Sequence, residues 1–216
     1  MKDYCLILLS YMESVDEEMA QELAENATYI IAADGGQNRA REFSLQPDCV
    51  IGDFDSTTLN EDFDCIYITY PAEKDITDTE AALEHAKEKG YSRVLVLGGI
   101  GGRLDHTMGN VGMLCKYYGQ FQQLIFADGK NSMEMLQNAQ RTFKRNSRYQ
   151  YISLISLDEK AMGIDIVGAK YELKNGTLER ASTLCVSNEF KEDEVTIRVR
   201  NGAILVIRSN DSSREK

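Results

Sequence analysis

Residues 94–106 read VLVLGGIGGRLDH. Four aliphatic residues followed by a glycine-rich segment predict a buried strand that runs into a tight loop before a helix. The loop is not a P-loop, because no Gly-Lys-Ser/Thr follows, and Leu104 stands where a dinucleotide motif would have its last glycine. Glycines after a strand usually mark only a turn. Here Arg103 and Asp105 follow directly, which favours a phosphate site approached by the glycine N–H groups.

The first 127 residues alternate between short apolar runs and amphipathic segments, as expected of a sheet with helices on its faces. The predicted strands are 5–9, 29–33, 49–51, 65–70, 94–97 and 124–127. Thr77-Asp78-Thr79-Glu80 has the capping-box spacing and predicts a helix start, and a further helix is predicted from Leu104 to Tyr118. We therefore predict an α/β domain over residues 1–130 with a Rossmann-like, mostly parallel sheet.

From about Asn131 the pattern changes to alternation between apolar and polar residues. It predicts strands at 149–157, 194–200 and 203–208. Asn175-Gly176 and Asn201-Gly202 are predicted to be hairpin turns, because Asn-Gly accommodates the two positive φ angles of such a turn. Residues 131–216 are thus expected to form an all-β domain, a C-terminal β-sandwich of about eight strands.

Composition excludes several classes of protein. The net charge is −11 and the sequence has no basic run. The chain therefore lacks a basic face that could neutralise the phosphates of a nucleic acid, which argues against nucleic-acid binding. The apolar run Cys5–Leu9 is too short for a signal peptide or a membrane span, which predicts a cytoplasmic protein without a membrane partner. The five cysteines are widely spaced and odd in number, so we interpret them as small buried residues rather than disulfide partners or zinc ligands.

Aspartates follow two of the predicted strands. Asp34 precedes Gly35 and Gly36, and Asp53 and Asp55 follow the next strand. Because ligands bind beyond the carboxyl ends of parallel strands, both clusters are expected at one crevice. Two carboxylates spaced two residues apart in an extended segment suit Mg²⁺ better than zinc. Each aspartate alone is better explained by an Asx turn than by metal binding.

A second charged group precedes the predicted helix at Thr77. Asp75 and Asp78 complement the positive end of the helix dipole, which is a sufficient structural reason for them. Lys74 is unfavourable there unless it faces an anion, such as a phosphate bound at the same helix terminus. The sequence leaves open whether Lys74 contacts phosphate or pairs with Asp75. His106 is interpreted either as a ligand contact or as part of a first helical turn.

Four short strings form a combined pattern in the first half of the chain. They are DGG at 34–36, GDFDS at 52–56, KDITD at 74–78 and GGRLDH at 101–106. In this order and spacing they resemble the thiamine pyrophosphokinase family. Further similar positions are Asn38, Pro47, Asn110, Gly168, Tyr171, Ser187-Asn188-Glu189 and Gly202. One departure is the Ser10-Tyr11-Met12 segment after the first strand, where the family commonly has a glycine-containing turn.

The resemblance implies an enzyme that transfers the terminal pyrophosphate of ATP to the hydroxyethyl oxygen of thiamine, giving thiamine diphosphate and AMP. It implies an α/β nucleotide-binding catalytic domain followed by a β-sandwich for thiamine binding and dimerisation. It also implies a homodimer whose active site lies at the subunit interface, with ATP as co-substrate and Mg²⁺ as cofactor.

The resemblance also assigns residues. It implies that Asp53, Asp55 and Asp78 hold Mg²⁺, with Asp75 nearby, and that Ser187 and Asn188 meet thiamine. The residues expected at the nucleotide are Asp34, Gly35, Gly36, Lys74, Thr77, Arg103, Asp105 and His106. Since the thiamine hydroxyl is a poor nucleophile, catalysis should depend on alignment and charge neutralisation, with Asp75 or Asp78 accepting the proton.

Two other functions use the same residues. One is Mg²⁺-dependent phosphoryl transfer to another small alcohol, which would give ADP instead of AMP. The other is a nucleotide-binding module without activity. The number of aspartates is an argument against the second, because they would repel a triphosphate that carries no metal ion.

Overall fold

The structure, a computed structural model, describes residues 4–53, 62–71 and 75–211. The chain divides into two compact units, Met1–Gly129 and Lys130–Lys216. The first contains helices and a sheet and the second is rich in strands, so the predicted order of α/β followed by β is confirmed. Within the described ranges, no helix combines the length and apolar character needed to cross a bilayer.

The first unit is a parallel sheet with helices. Its strands are β1 (Tyr4–Leu8), β2 (Ala27–Ala33), β3 (Cys49–Gly52), β4 (Ile66–Thr69), β5 (Arg93–Leu97) and β6 (Gln123–Ala127). Its helices are α1 (Glu17–Asn26), α2 (Gly36–Glu42), α3 (Asp78–Glu88) and α4 (Leu104–Lys116). The strands lie in the order β6-β5-β1-β2-β3-β4, and each neighbouring pair among them is parallel. The order reverses between β1 and β5, which is where a ligand crevice is expected in such sheets.

The elements of the first unit follow from local sequence signals. Residues Cys5–Leu8 of β1 are fully buried, as expected of a central parallel strand covered on both faces. Helix α3 begins where the capping-box spacing predicted, and the Thr77 hydroxyl accepts a hydrogen bond from the Glu80 amide at 3.2 Å. The start of α3 is thereby fixed next to the ends of the strands.

The second unit consists of antiparallel strands. They are β7 (Asn131–Gln137), β8 (Gln140–Lys144), β9 (Tyr151–Ser156), β10 (Lys160–Val167), β11 (Leu173–Glu179), β12 (Asn188–Glu189), β13 (Glu194–Arg198) and β14 (Ala203–Ser209). Strands β12-β9-β14-β7 lie side by side, and β11-β10-β13-β8 form another set. Buried side chains from both sets, including Leu154, Val206, Ile164 and Ile197, share one core. This shared core holds the second unit together.

Both hairpins predicted in the second unit are wrong. Asn175 and Gly176 lie inside β11, where the pairing with β10 shifts in register and Asp165 Oδ1 accepts a hydrogen bond from the Asn175 amide at 2.7 Å. Asn201-Gly202 connects β13 to β14, which belong to different sets of strands. Asn175 and Gly202 do have positive φ angles. Asn175 lies in a β-bulge, and Gly202 lies in the connection that takes the chain from one set of strands to the other.

All five cysteines are free, and Cys5, Cys49 and Cys185 are buried. Burial raises the pKa of the Cys5 thiol to about 12, so this group is neutral and packs as a small apolar residue.

Candidate active site

A cavity of about 670 Å³ opens at the carboxyl edge of the parallel sheet. Its wall is built from the residues that follow β1, β2, β3 and β5 and from the first turns of α3 and α4. The lining residues are Leu9, Ser10, Tyr11, Ala33, Asp34, Asp53, Ile76, Thr77, Asp78, Thr79, Gly99, Gly101, Arg103, His106 and Asn110. The structure thus brings together Asp34, Asp53, Thr77, Asp78, Arg103 and His106, which the sequence had selected from four separate strings.

Asp34 reaches the cavity through an unusual backbone conformation. Its φ is 44°, in the left-handed region that aspartate tolerates better than most residues. Its amide donates to the Ile51 carbonyl at 2.6 Å, which ties the end of β2 to β3. A Cβ on Gly52 would lie 3.1 Å from Asp34 Cα, so a glycine at position 52 permits this close approach. The carboxylate is therefore held by a fixed backbone rather than by a loose loop.

Two of the carboxylates on the wall, Asp53 and Asp78, were predicted as metal ligands. Asp53 directly follows β3, and Asp78 is the first residue of α3. The predicted ligand Asp55 and the predicted phosphate contact Lys74 lie outside the described residues. Within 4–53, 62–71 and 75–211, no three His, Cys, Asp or Glu side chains form a group able to hold a metal. Mg²⁺ commonly takes one or two protein carboxylates and completes its shell with water and substrate phosphates, so Asp53 and Asp78 fit this ion.

The glycine loop does not offer the row of free amides that the sequence suggested. Gly98 N–H donates to the Ala127 carbonyl at 2.8 Å, Gly99 N–H to the Tyr11 carbonyl at 2.9 Å, and Gly101 N–H to Thr107 Oγ1 at 3.0 Å. These amides are thus bonded within the protein. The glycines are needed for close packing instead, since a Cβ on Gly98 would lie 2.5 Å from the Tyr11 carbonyl oxygen. The amides of Gly98, Gly99 and Gly101 are therefore already engaged within the protein.

One face of α4 borders the cavity. Arg103, His106 and Asn110 follow the i, i+3, i+7 spacing that places side chains on the same side of a helix. Asn110 is buried, and its Nδ2 donates to the Gly99 carbonyl at 2.8 Å, so it joins the helix to the glycine loop. Sequence reasoning noted Asn110 only as a similar position. Its spacing of four from His106 was the available signal for a place at the site.

Asp105 orients Arg103 instead of lining the cavity. Its carboxylate accepts two hydrogen bonds from the Arg103 guanidinium, from Nε at 3.2 Å and Nη2 at 2.6 Å. It also accepts one from the His106 amide at 2.9 Å. The Arg103 guanidinium holds the pKa of Asp105 below its usual value, and Asp105 raises the pKa of Arg103. Arg103 is largely exposed, so this pair fixes the direction of a cation that remains accessible to an anion.

Besides Asp105, three predicted site residues of the first unit are not part of the cavity wall, namely Gly35, Gly36 and Asp75. Gly35 and Gly36 are buried, and a Cβ on Gly36 would lie 2.1 Å from the Leu8 carbonyl oxygen. Gly36 therefore serves the close packing of α2 against β1. Asp75 is exposed and precedes the residues of the α3 start that line the cavity. Conversely, Ser10 and Tyr11 line the cavity although sequence reasoning assigned them no role.

In the second unit, Ser187 and Asn188 have different surroundings. Asn188 is buried, its Nδ2 donates to the Tyr171 carbonyl at 2.8 Å, and its Oδ1 accepts from the Tyr171 amide at 3.0 Å. Ser187 is exposed, with φ of 60°, and its amide donates to Ser153 Oγ at 3.0 Å. Asn188 therefore fixes the backbone at Tyr171, and Ser187 is the member of the pair accessible to a ligand.

The fold and the cavity define a class of protein, in which an α/β unit has an acidic, arginine-containing cavity at the carboxyl edge of its parallel sheet and a second unit consists of strands. Family models agree: "Thiamin pyrophosphokinase, catalytic domain" matches residues 20–126 and "Thiamin pyrophosphokinase, vitamin B1 binding domain" matches residues 140–204. Thiamine pyrophosphokinase of Bacillus subtilis is 31% identical over 190 residues, covering 85% of this chain and 88% of that protein. The chain belongs to the thiamine pyrophosphokinase family.

Solved structures give the same assignment. The crystal structure of thiamin pyrophosphokinase from Geobacillus thermodenitrificans has a TM-score of 0.86 and 32% identity, covering 97% of this chain and 99% of that chain. The structure of thiamine pyrophosphokinase from Bacillus subtilis has the same TM-score, 0.86, with 26% identity over 97% of this chain. The likeness thus extends over both units.

Proposed function

We propose that this chain transfers the terminal pyrophosphate of ATP to the hydroxyethyl oxygen of thiamine, giving thiamine diphosphate and AMP. Family membership supports the reaction. The observation that carries it for this chain is the composition of the cavity. The cavity lies at the sheet edge where α/β proteins bind ligands. Its wall contains the carboxylates that follow β2 and β3, the residues at the start of α3, and Arg103 at the start of α4.

ATP is assigned to this cavity of the first unit, with Asp34, Thr77, Arg103 and His106 as nucleotide contacts. We also keep four other residues in the proposed nucleotide site, because each is next to or near a cavity-lining residue in the sequence: Gly35, Gly36, Lys74 and Asp105. Asp53 and Asp78, together with Asp55, would hold Mg²⁺ on the phosphates. When bound, the ion would neutralise negative charge on the phosphate oxygens. Basic side chains such as Arg103 would contribute to the same neutralisation.

The chain's residues then align and deprotonate the acceptor. The thiamine hydroxyl oxygen forms a bond to the β-phosphorus, the bond from that phosphorus to the bridging oxygen of the α-phosphate breaks, and AMP leaves with the electron pair. The hydroxyl proton passes to a carboxylate. The candidates for this carboxylate are Asp75 and Asp78. Asp78 lines the cavity but is also assigned to the metal ion, which leaves Asp75, next to the lining residue Ile76, as the metal-free acceptor.

The second unit is proposed to bind thiamine and to form a homodimer. Exposed apolar side chains support such a surface. Leu184 and Val186, which are 63% and 46% exposed, lie just before Ser187 in the sequence. Tyr171, which is 64% exposed, is hydrogen-bonded through its backbone to Asn188. Sharing the active site between subunits would bring Ser187 and Asn188 of one subunit to the cavity of its partner. The acidic cavity would also attract the positive thiazolium ring of thiamine.

The proposal includes three finer points. Strand order in the first unit supports the Rossmann-like description, and the core shared by two sets of strands supports the β-sandwich. A cytoplasmic location agrees with five free cysteines.

The deciding experiment incubates the purified protein with ATP, Mg²⁺ and thiamine and separates the products. Thiamine diphosphate and AMP in equal amounts are expected. ADP with thiamine monophosphate would show phosphoryl transfer instead. If no product forms and ATP binds equally well with and without a chelator, the chain is a binding module and the proposed reaction is wrong.

A further inference from the structure

Tyr11 contributes an aromatic surface to the cavity that the proposed reaction does not use. It follows Ser10 just beyond the carboxyl end of β1, one of the two strands between which the strand order reverses. Among the described lining residues it is the only tyrosine, and no phenylalanine is present. Leu9 and Ile76 add apolar surface to the same wall, which otherwise holds charged and polar groups.

The ring of Tyr11 is held in place by the glycine loop. The Tyr11 carbonyl accepts the Gly99 amide at 2.9 Å, which fixes the backbone. A Cβ built on Gly102 would lie 2.7 Å from Cε2 of the ring, and one on Gly101 would lie 3.3 Å from Cε1. The ring therefore packs directly against the loop backbone, which supports it from one side. A surface supported in this way costs little entropy when a ligand covers it.

The hydroxyl of Tyr11 is not suited to a phosphate. It donates to Glu13 Oε2 at 2.7 Å, so it has no further proton to offer, and the neighbouring carboxylate repels an anion. This hydrogen bond is also the main reason that the pKa of Tyr11 is raised. The ring carbons, rather than the hydroxyl, are the part that can meet a ligand.

We propose that the Tyr11 ring is the stacking surface for the adenine base of ATP. The inference rests on the proposed function for the choice of ligand. Arg103, Asp53 and Asp78 take the phosphates and metal ion, and Ser187 in the second unit is assigned to thiamine. The planar, uncharged part of the nucleotide then matches the remaining apolar wall of Leu9, Tyr11 and Ile76. An aromatic side chain stacks on any base, because every base has a π-face.

Steady-state kinetics of Tyr11→Leu test the proposal, with Tyr11→Phe as the conservative variant. Loss of the ring should raise KM for ATP roughly tenfold or more, while KM for thiamine changes less than about twofold. Tyr11→Phe should restore most of the ATP affinity, because it keeps the ring. Tyr118→Leu removes an exposed tyrosine outside the cavity and should match the wild type. Thermal melting of each variant checks that the fold is intact.

Binding of inorganic tripolyphosphate separates base stacking from support of the glycine loop. Under the proposal, Tyr11→Leu binds tripolyphosphate as the wild type does and loses affinity only for ATP. Equal losses for both ligands would show that the ring merely supports the loop. A rise in KM for thiamine alone would mean that the ring contacts the acceptor. Either result overturns the proposal.

Calorimetric titration with ATP keeps this test separate from the test of the reaction. If the wild type makes no thiamine diphosphate but binds ATP, the reaction is wrong and the comparison of Tyr11→Leu with Tyr11→Phe still decides the role of the ring. If the protein is active and the two variants bind ATP alike, the stacking proposal alone fails.

Discussion

Asp53 is half-buried at the end of β3, where a change of one side chain tests the metal site. Asp53→Ala should reduce AMP formation at least about 100-fold, because it removes one of the three carboxylates proposed to hold Mg²⁺. The measurement is AMP release at saturating thiamine and several Mg²⁺ concentrations. Asp64→Ala removes the same charge from an exposed position outside the cavity and should be silent. Near-normal turnover of Asp53→Ala would exclude Asp53 from the metal site.

Gly36 illustrates a residue whose small size is required by packing. Gly36→Ala should lower the free energy of unfolding by about 3 kcal/mol, because its Cβ would overlap the Leu8 carbonyl at 2.1 Å. Gly109→Ala in α4 is the matched control, because nothing lies within 4 Å of its Cβ and alanine favours helix. Urea unfolding followed by circular dichroism gives both values. Equal stability of the two variants would show that α2 moves away from β1 at little cost.

At the scale of elements, α3 and α4 are joined by side chains beyond the cavity. Lys116 forms an ion pair with Glu80, whose side chain is only 11% exposed, and the Tyr117 hydroxyl donates to Glu84 Oε1 at 2.7 Å. Asp78 lies in the same first turn of α3 as Glu80, so this contact helps to position it, whereas Arg103 lies at the opposite end of α4 from Lys116.

Breaking that ion pair from one side should be costly. Lys116→Met leaves the carboxylate of Glu80, which is only 11% exposed, without this partner and should lower the free energy of unfolding. Combining it with Glu80→Gln should recover part of that loss, because no unpaired charge remains. The wild type, the two single variants and the double variant form a double-mutant cycle, and their free energies of unfolding are compared by chemical unfolding. A double variant that is no more stable than Lys116→Met would argue that packing, rather than charge, joins the helices.

Elements of the first unit were predictable because local signals agreed with the global fold. Apolar runs found all six strands to within about two residues, and the cap at Thr77 found the start of α3. The second unit was harder. Asn175-Gly176 correctly predicted positive φ at Asn175, but a local signal cannot distinguish a hairpin from a bulge that depends on Asp165 in another strand. Pairing partners are tertiary information.

The same limit applies to the site. Asp34, Asp53 and Asp78 were predictable because charged residues at strand ends and helix starts stand out in a sequence. Tyr11 was not, since an aromatic residue after a strand is ordinarily part of the core. Nor could the use of the Gly98 amide be predicted, because its acceptor, Ala127, lies far along the chain.

At the scale of the whole molecule, the proposed homodimer makes a prediction about which unit associates. Leu184→Glu should convert a dimer into a 24.3 kDa monomer and raise KM for thiamine several-fold, because a charge is placed on an exposed apolar surface of the second unit. Sedimentation velocity measures the mass. Met108→Glu, at a 65% exposed position of α4 in the first unit, is the comparison and should remain dimeric. The reverse result would assign the interface to α4.

The net charge of −11 also has a meaning at this scale. It excluded nucleic acid, yet a triphosphate is also an anion. The location of the aspartates resolves this difficulty, because Asp34, Asp53 and Asp78 line the one cavity to which we assign the metal–nucleotide complex and the cationic acceptor. The positive charges of both ligands complement these carboxylates.

The internal hydrogen bonds of the glycine loop have a consequence for motion. Four glycines in five residues would ordinarily form one of the most mobile segments of a protein, but Gly98, Gly99 and Gly101 each donate to a fixed acceptor. Their amide protons should therefore exchange with deuterium slowly, at rates closer to those of β5 than of a surface loop. Nucleotide should change these rates little, because the acceptors of these amides belong to the protein itself.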